Sequence, residues 1–247
     1  MGQSRSPLGV ADLERVAARG WPAPEEEPLG GWLLRAGGGF TGRANTALVT
    51  GDPGLPLPEA ADAVVRWYRA RGLRPGAALP GVQARAAGAV LAAAGWERSE
   101  DVLVLTAPLV PAGGADVELA PAPADDWLAL YRPDADPAGA RAVLTGGGRT
   151  VFAAVRPEPG APPVAVARGV VTGDWLGVSA LTVAEEHRRR GLAGTVMAAL
   201  SRWGAAQGAH WVYLQVSASN TPARELYRRA GHVEHHRYHY RWAPEAP

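Results

Sequence analysis

The stretch Leu181-Thr-Val-Ala-Glu-Glu-His-Arg-Arg-Arg-Gly-Leu-Ala-Gly-Thr-Val-Met-Ala-Ala-Leu200 constrains what this chain can fold into more than any other. It runs from an apolar strand end, through a basic turn containing Gly191, into a helix. The helix follows from Leu192, Val196, Ala199, Leu200 and Trp203, an apolar stripe at helical period. A helix that starts at such a turn offers unpaired backbone N–H groups and the positive end of its dipole. That combination can hold a phosphate.

Strands and helices alternate around this stretch. In the first half, residues 7–19 read as a short amphipathic helix and 25–30 as a polar loop. Residues 31–36 and 44–50 read as strands about a glycine-rich turn, and 52–58 as a second turn. A helix over 60–72, a strand at 77–79, a helix over 84–94 and a buried strand at 101–106 follow. Residues 109–116 form a linker by composition, which gives a first domain at 1–108 and a second at 117–247. The second opens with a strand at 117–120 and helices over 123–131 and 138–144. Strands at 149–155, 164–171 and 174–183 lead into the opening stretch. After its helix come a strand at 211–216, a helix over 221–230 and a strand or hairpin at 232–242. The halves share a tail of strands, helix, strand, helix, strand. They read as two copies of one α/β unit, each a mixed, mostly antiparallel sheet flanked by helices.

Composition narrows the chemistry. The chain of 247 residues is 47% apolar and 20% charged, an ordinary globular balance. A net charge of +1 gives no electrostatic case for nucleic acid or an anionic membrane. Cysteine is absent, which excludes thiol nucleophiles, disulfides and Cys-based metal sites, and a cytoplasmic location is expected. All the Lys+Arg residues are arginine, a bias of GC-rich coding, so arginine in place of lysine carries no functional weight. The start, Met1-Gly-Gln-Ser-Arg-Ser6, matches a myristoylation pattern without a second membrane signal.

Two segments carry a resemblance. Arg188-Arg-Arg-Gly-Leu-Ala193 is similar to the Arg/Gln-x-x-Gly-x-Gly/Ala motif of the GNAT (Gcn5-related) N-acetyltransferases. Asn220-Thr-Pro-Ala-Arg-Glu-Leu-Tyr-Arg-Arg-Ala-Gly-His232 resembles that superfamily's Asn-x-x-Ala-x-x-x-Tyr-x-x-x-Gly-Phe segment, with His232 where Phe is usual. The resemblance covers residues 117–242, and the whole layout is similar to tandem-GNAT actinobacterial proteins with a degenerate first unit. The first half has only Gly51-Asp-Pro-Gly54 where a basic glycine loop would stand. The resemblance implies acetyl-CoA as co-substrate, a primary amine on a small molecule or protein as acceptor, and no metal. It assigns the pyrophosphate to Arg188, Arg189, Arg190, Gly191, Leu192, Ala193, Gly194 and Thr195, and the pantetheine arm to the strand edge at Leu181, Thr182 and Val183. It implies a CoA contact for Asn220 and a general acid in Tyr227. Tandem units also imply an intramolecular pseudo-dimer, as a monomer or a homodimer.

Each residue has a plainer reading. Arg188, Arg189 and Arg190 fit a solvated turn, Tyr227 fits a core position, and Asn220 fits a helix cap. His232, His235, His236 and His239 fit a solvated or core strand better than a metal site. Asp174, Glu185, Glu186 and His187 are the candidates for a general base. Trp32 reads as structural, whereas Arg35, Arg43 and Asn45 are open between core, linker and acceptor site. The rival functions are a non-catalytic acyl-CoA sensor on the same fold and, against the net charge, a nucleic-acid binder.

Overall fold

The computed structural model describes residues 6–111, 113–114 and 117–245. The first half runs α1 (Val10–Gly20), β1 (Glu25–Leu29), β2 (Trp32–Ala36), β3 (Ala47–Leu48), α2 (Leu57–Arg69), β4 (Gly76–Pro80), α3 (Arg85–Ala93) and β5 (Glu97–Pro108). The second runs β6 (Glu118–Ala120), α4 (Asp125–Tyr131), α5 (Pro137–Leu144), β7 (Arg149–Val155), β8 (Ala165–Thr172) and β9 (Trp175–Val183). It continues with α6 (Leu192–Ala206), β10 (Trp211–Ser217), α7 (Thr221–Arg229) and β11 (Val233–Trp242). The mixed α/β architecture is the one the sequence implies.

Two segments depart from the sequence reading. Residues 25–30 were expected as a loop, yet β1 pairs antiparallel with β2, from Glu25 opposite Ala36 to Leu29 opposite Trp32. Its side chains are largely exposed and include Pro28, as an edge strand tolerates. Residues 44–50 were expected as a strand, but only Ala47–Leu48 pairs, because Gly42–Ala44 coils into a 3₁₀ turn. Asn45 holds the preceding glycine turn: its Oδ1 accepts from the Gly37 and Gly39 amides, each at 2.9 Å.

The strands form one sheet of eleven, in the order β1-β2-β3-β4-β11-β5-β10-β9-β8-β7-β6. Its centre is an exchange. The last strand of the second half, β11, lies between β4 and β5, and the last strand of the first half, β5, lies between β11 and β10. The run β4-β11-β5-β10 is antiparallel throughout and reads alike from either end, the pattern of an internal two-fold. The expected division at 109–116 separates β5 from β6 along the chain while the sheet runs on across it. Ala112, Ala115 and Asp116 of that segment, and Met1 to Arg5 of the myristoylation-like start, lie outside the described residues.

Helix α1 closes one face of this joint. Leu13, Val16, Ala17 and Ala18 pack with Leu48, Ala78, Val104, Trp175, Tyr213 and Tyr238, which come from strands of both halves. Burying those side chains removes apolar surface from water at roughly 25 cal/mol per Å². A second inter-half core joins Trp21, Phe40 and Ala44 to Trp127, Val143, Phe152 and Val166. Glu14, buried on α1, lies 2.7 Å from His236 Nε2 on β11, so the first helix is also held to the last strand.

Arg168 on β8 locks α1 to the second half. Its side chain is fully buried. Nε donates to Leu144 O at 2.6 Å, Nη1 to Gly20 O at 2.9 Å and Nη2 to Gly146 O at 2.9 Å. Gly20 ends α1 and Leu144 ends α5, so the cation sits where two helix dipoles are negative. Burial pulls its pKa down to about 10, which leaves it charged at neutral pH. The planar fork meets carbonyls in three directions, which an ammonium cannot do in the same geometry. Arg168→Met strands these acceptors at about 1–3 kcal/mol each. We expect a loss of roughly 3 kcal/mol or more, read as a fall in melting temperature of about 6–12 °C. An unchanged melting temperature would contradict this role.

Candidate active site

Strands β9 and β10 run parallel and pair from Trp175 opposite Trp211 to Val178 opposite Leu214. Pairing stops there although β9 continues to Val183 and β10 to Ser217. The strands part, and the β9 edge beyond Val178 has no strand beside it on that side. A bulge accompanies the parting: Ala180 and Leu181 together oppose Ala167 on β8, between the Arg168–Ser179 and Val166–Thr182 pairs. Ala180 takes φ +55°, a left-handed conformation that costs a non-glycine residue about 1–2 kcal/mol. A bulge bends its strand, which is what opens the sheet here.

The opening is a cleft of about 980 Å³. Of the sequence-predicted residues, Leu181, Thr182, Val183, Arg188, Arg189, Gly191, Leu192, Ala193, Gly194, Asn220 and Tyr227 line it. Arg190 and Thr195 stand outside its wall. The turn into α6 is built from left-handed residues, Arg189 at φ +61° and Gly191 at φ +80°. No side chain caps α6, and its first intrahelical backbone bond runs from the Thr195 amide to Gly191 O at 3.1 Å. The preceding amides in the cleft wall are therefore free to take an anion. Among the described residues Arg188 and Arg189 form no ion pair, whereas Arg229 is neutralised by Glu225 at 2.7 Å. A methyl built on Gly194 meets nothing within 4 Å, so it would project into open cleft.

Asn220 combines two of its readings. Its Oδ1 caps α7 by accepting from the Ala223 amide at 3.1 Å, and it lines the cleft. Tyr227 likewise belongs to the second-half core and to the cleft wall. Burial pushes its phenol up to about 12. His232 takes the buried position that Phe has in the superfamily motif, 5.8 Å from the Tyr227 ring between centroids. Both its ring nitrogens lack hydrogen-bond partners among the described residues, and burial lowers its pKa, keeping it neutral.

Of the general-base candidates only His187 lines the cleft; Asp174 sits in the turn at the far end of β9. A β-bulge between Glu234 and His236 brings His235 Nδ1 within 2.8 Å of His236 Nδ1, so these neighbours do not alternate across β11 as regular strand residues would. Among the described residues no group of three or more His, Asp or Glu side chains is placed to hold a metal ion. In the first half Trp32 and Arg35 are buried structural groups: Trp32 Nε1 donates to Gly51 O at 3.0 Å and Arg35 Nε to Thr46 O at 3.1 Å. Arg43 is different. It reaches across to the cleft wall, where Nη1 donates to Gln215 Oε1 at 3.0 Å. Gln215, Ser179 and Tyr131 complete that end and carried no sequence signal, since contacts across 172 residues leave none.

A parallel strand pair that parts beside an uncapped helix start, with Asn220 and Tyr227 on the next helix, defines a class. The chain has the GNAT fold and is an acetyltransferase of GNAT type. More narrowly, residues 9–241 match the family described as probable histone acetyltransferase Rv0428c, C-terminal, and the chain belongs to that family. It is 35% identical to the probable histone acetyltransferase Rv0428c of Mycobacterium tuberculosis, over 95% of this chain and 74% of that one. Its structure is similar to a GCN5-related N-acetyltransferase from Kribbella flavida, with TM-score 0.69, 17% identity and 98% of each chain covered. It is also similar to a tandem GNAT protein from the clavulanic acid biosynthesis pathway, with TM-score 0.59, 16% identity, and 100% of this chain and 92% of that one covered. No helix among the described residues is long and apolar enough to cross a membrane.

The phenol makes a spectroscopic prediction. With its pKa at about 12, Tyr227 stays protonated where an ordinary tyrosine, near 10, ionises. Absorbance titration through that ordinary range should give the same phenolate change in Tyr227→Phe as in the parent. Loss of one phenolate near 10 would contradict the burial. By linkage Tyr227 costs the fold nothing below the unfolded value of about 10, and stability falls as pH rises from there toward 12.

Proposed function

We propose that the cleft binds one acetyl-CoA and that the chain moves its acetyl group to a primary amine. The observation that carries this is the meeting of an unpaired β9 edge, an uncapped α6 start and Tyr227 in one cleft. The residues fit the co-substrate. The amides of Leu192, Ala193 and Gly194, with Arg188 and Arg189, suit a pyrophosphate, and the β9 edge at Leu181, Thr182 and Val183 suits a chain that carries amides of its own. Asn220 would add a polar contact, and Arg190 and Thr195 would act from outside the wall. The first half offers no such start: Pro56 precedes α2 and Pro58 lies in its first turn, and neither has an N–H.

Bound acetyl-CoA supplies an activated thioester, from which a neutral amine takes the acetyl group and a thiol departs. Backbone N–H groups of β9 near Val183 stabilise the charge on the reacting oxygen. Tyr227 is the general acid. A thiol ionises near 8.5, below this phenol, so Tyr227 acts as a relay, donating toward the departing sulfur while the proton lost by the amine restores it. The acceptor is an amine of a small molecule or of a protein; the Mycobacterium tuberculosis relative is named a probable histone acetyltransferase, which favours a protein.

Two variants separate binding from chemistry. Gly194→Ala adds a methyl toward the cleft without meeting protein atoms, and alanine favours the helix by up to about 1 kcal/mol. Its melting temperature should hold or rise while acetyl-CoA affinity, by calorimetry, falls about tenfold or more. Tyr227→Phe should keep acetyl-CoA affinity and lose roughly 10²-fold or more in kcat. Unimpaired acetyl-CoA binding in Gly194→Ala would sink the pyrophosphate assignment, and unimpaired kcat in Tyr227→Phe the acid.

A further inference from the structure

The end of the cleft where β9 and β10 part is furnished from the first half. Arg43 stands in its wall with its guanidinium carbon 4.2 Å from the centroid of the Trp21 ring. Trp21 is itself fixed, since its Nε1 donates to Thr41 Oγ1 at 3.0 Å and its ring stacks on Phe40. One guanidinium N–H goes to Gln215 Oε1, which also accepts from the Tyr238 hydroxyl at 3.2 Å. The other donors of this five-donor group have no carboxylate: among the described residues Arg43 makes no ion pair. Its charge reaches the neighbouring buried cation Arg168, lowering that group's pKa, and Arg168 too is held by carbonyls alone. On the same wall the Ser179 hydroxyl is buried without a hydrogen-bond partner. This end of the cleft therefore holds a fixed guanidinium with no ion-pair partner among the described residues, beside an unused hydroxyl.

We infer that Arg43 is a specificity-determining residue that reads an anionic group on the acceptor, and that the acceptor is an amine carrying a carboxylate, as an amino acid does. The inference rests on the acetyl transfer proposed above and names its substrate class. A stacked guanidinium matches a carboxylate by paired N–H donors. The same positive charge disfavours a protonated amine and so helps the acceptor shed its proton in a cleft whose wall carboxylate, Glu225, is held by Arg228 and Arg229. A basic polypeptide, which brings cations and no nearby carboxylate, is the poorer fit.

The test is steady-state acetylation by the full chain of free amino acids, of the matching amines that lack the carboxylate, and of a lysine peptide, with acetyl-CoA affinity measured alongside. The parent should prefer the amino acids. Arg43→Gln should raise KM for an amino acid roughly ten- to hundredfold more than for its carboxylate-free counterpart. Arg43→Lys should recover part of that difference, and both variants should keep acetyl-CoA affinity, which shows the fold intact. Equal KM changes for the two substrate sets, or a parent that prefers the peptide or the bare amines, would overturn the inference while leaving acetyl transfer standing. Failure of the parent to bind acetyl-CoA would instead overturn the proposed function and this inference with it.

Discussion

A sheet cannot leave a strand edge open in its interior without cost, because each buried N–H and C=O needs a partner. The parting of β9 and β10 beyond Val178 and Leu214 does this in the second half. It persists because β8 still holds β9 on the other side, with Thr182 opposite Val166 and Val183 opposite Ala165, while the bulge at Ala180 bends the strand away. The open edge then stands beside the uncapped start of α6. These two sets of unpaired donors on neighbouring walls are what the acetyl-CoA proposal rests on. The remainder of the second half serves this opening: α6 is anchored by Val196, Ala199 and Leu200 in the core, and α7 brings Asn220 and Tyr227 to the opposite wall.

The first half is joined to that opening more closely than a tethered neighbour would be. The exchange of β5 and β11 runs one sheet through both halves, α1 lies across the joint, and Arg168 ties the end of α1 to α5 and β8. The same joint carries the turn at 42–44 to the end of the cleft, and Arg43 with it. The first half thus keeps the layout of the second while its own counterpart of the α6 start is closed by Pro56 and Pro58. Its contribution is a wall.

The residues that meet in the cleft were legible in the sequence. The Arg188-Arg-Arg-Gly-Leu-Ala193 turn and the segment from Asn220 to Tyr227 have backbone geometry set within a few residues, and spacing records that. The element order also carried the mixed α/β architecture. What the spacing did not disclose is non-local. Whether β11 pairs with its own half or inserts between β4 and β5 depends on partners more than 120 residues away, and one apolar strand accepts either. The bulges at Ala180 and at His235 leave no pattern in residues chosen for burial. Strand β1 was missed because an exposed edge strand with Pro28 has the composition of a loop. Nothing near Arg43 in the chain tells a cleft arginine from a surface one.

Amide hydrogen exchange with and without saturating acetyl-CoA tests the central claim most directly, because the proposed contacts are made by backbone N–H groups. Protection should appear at residues 181–183 and at the first turn of α6, 192–195, with the corresponding turn of the first half, residues 50–57, unchanged. Unaltered exchange on β9 and α6, or protection centred on residues 50–57, would contradict the proposal that a single parted strand pair in the second half is the acetyl-CoA site.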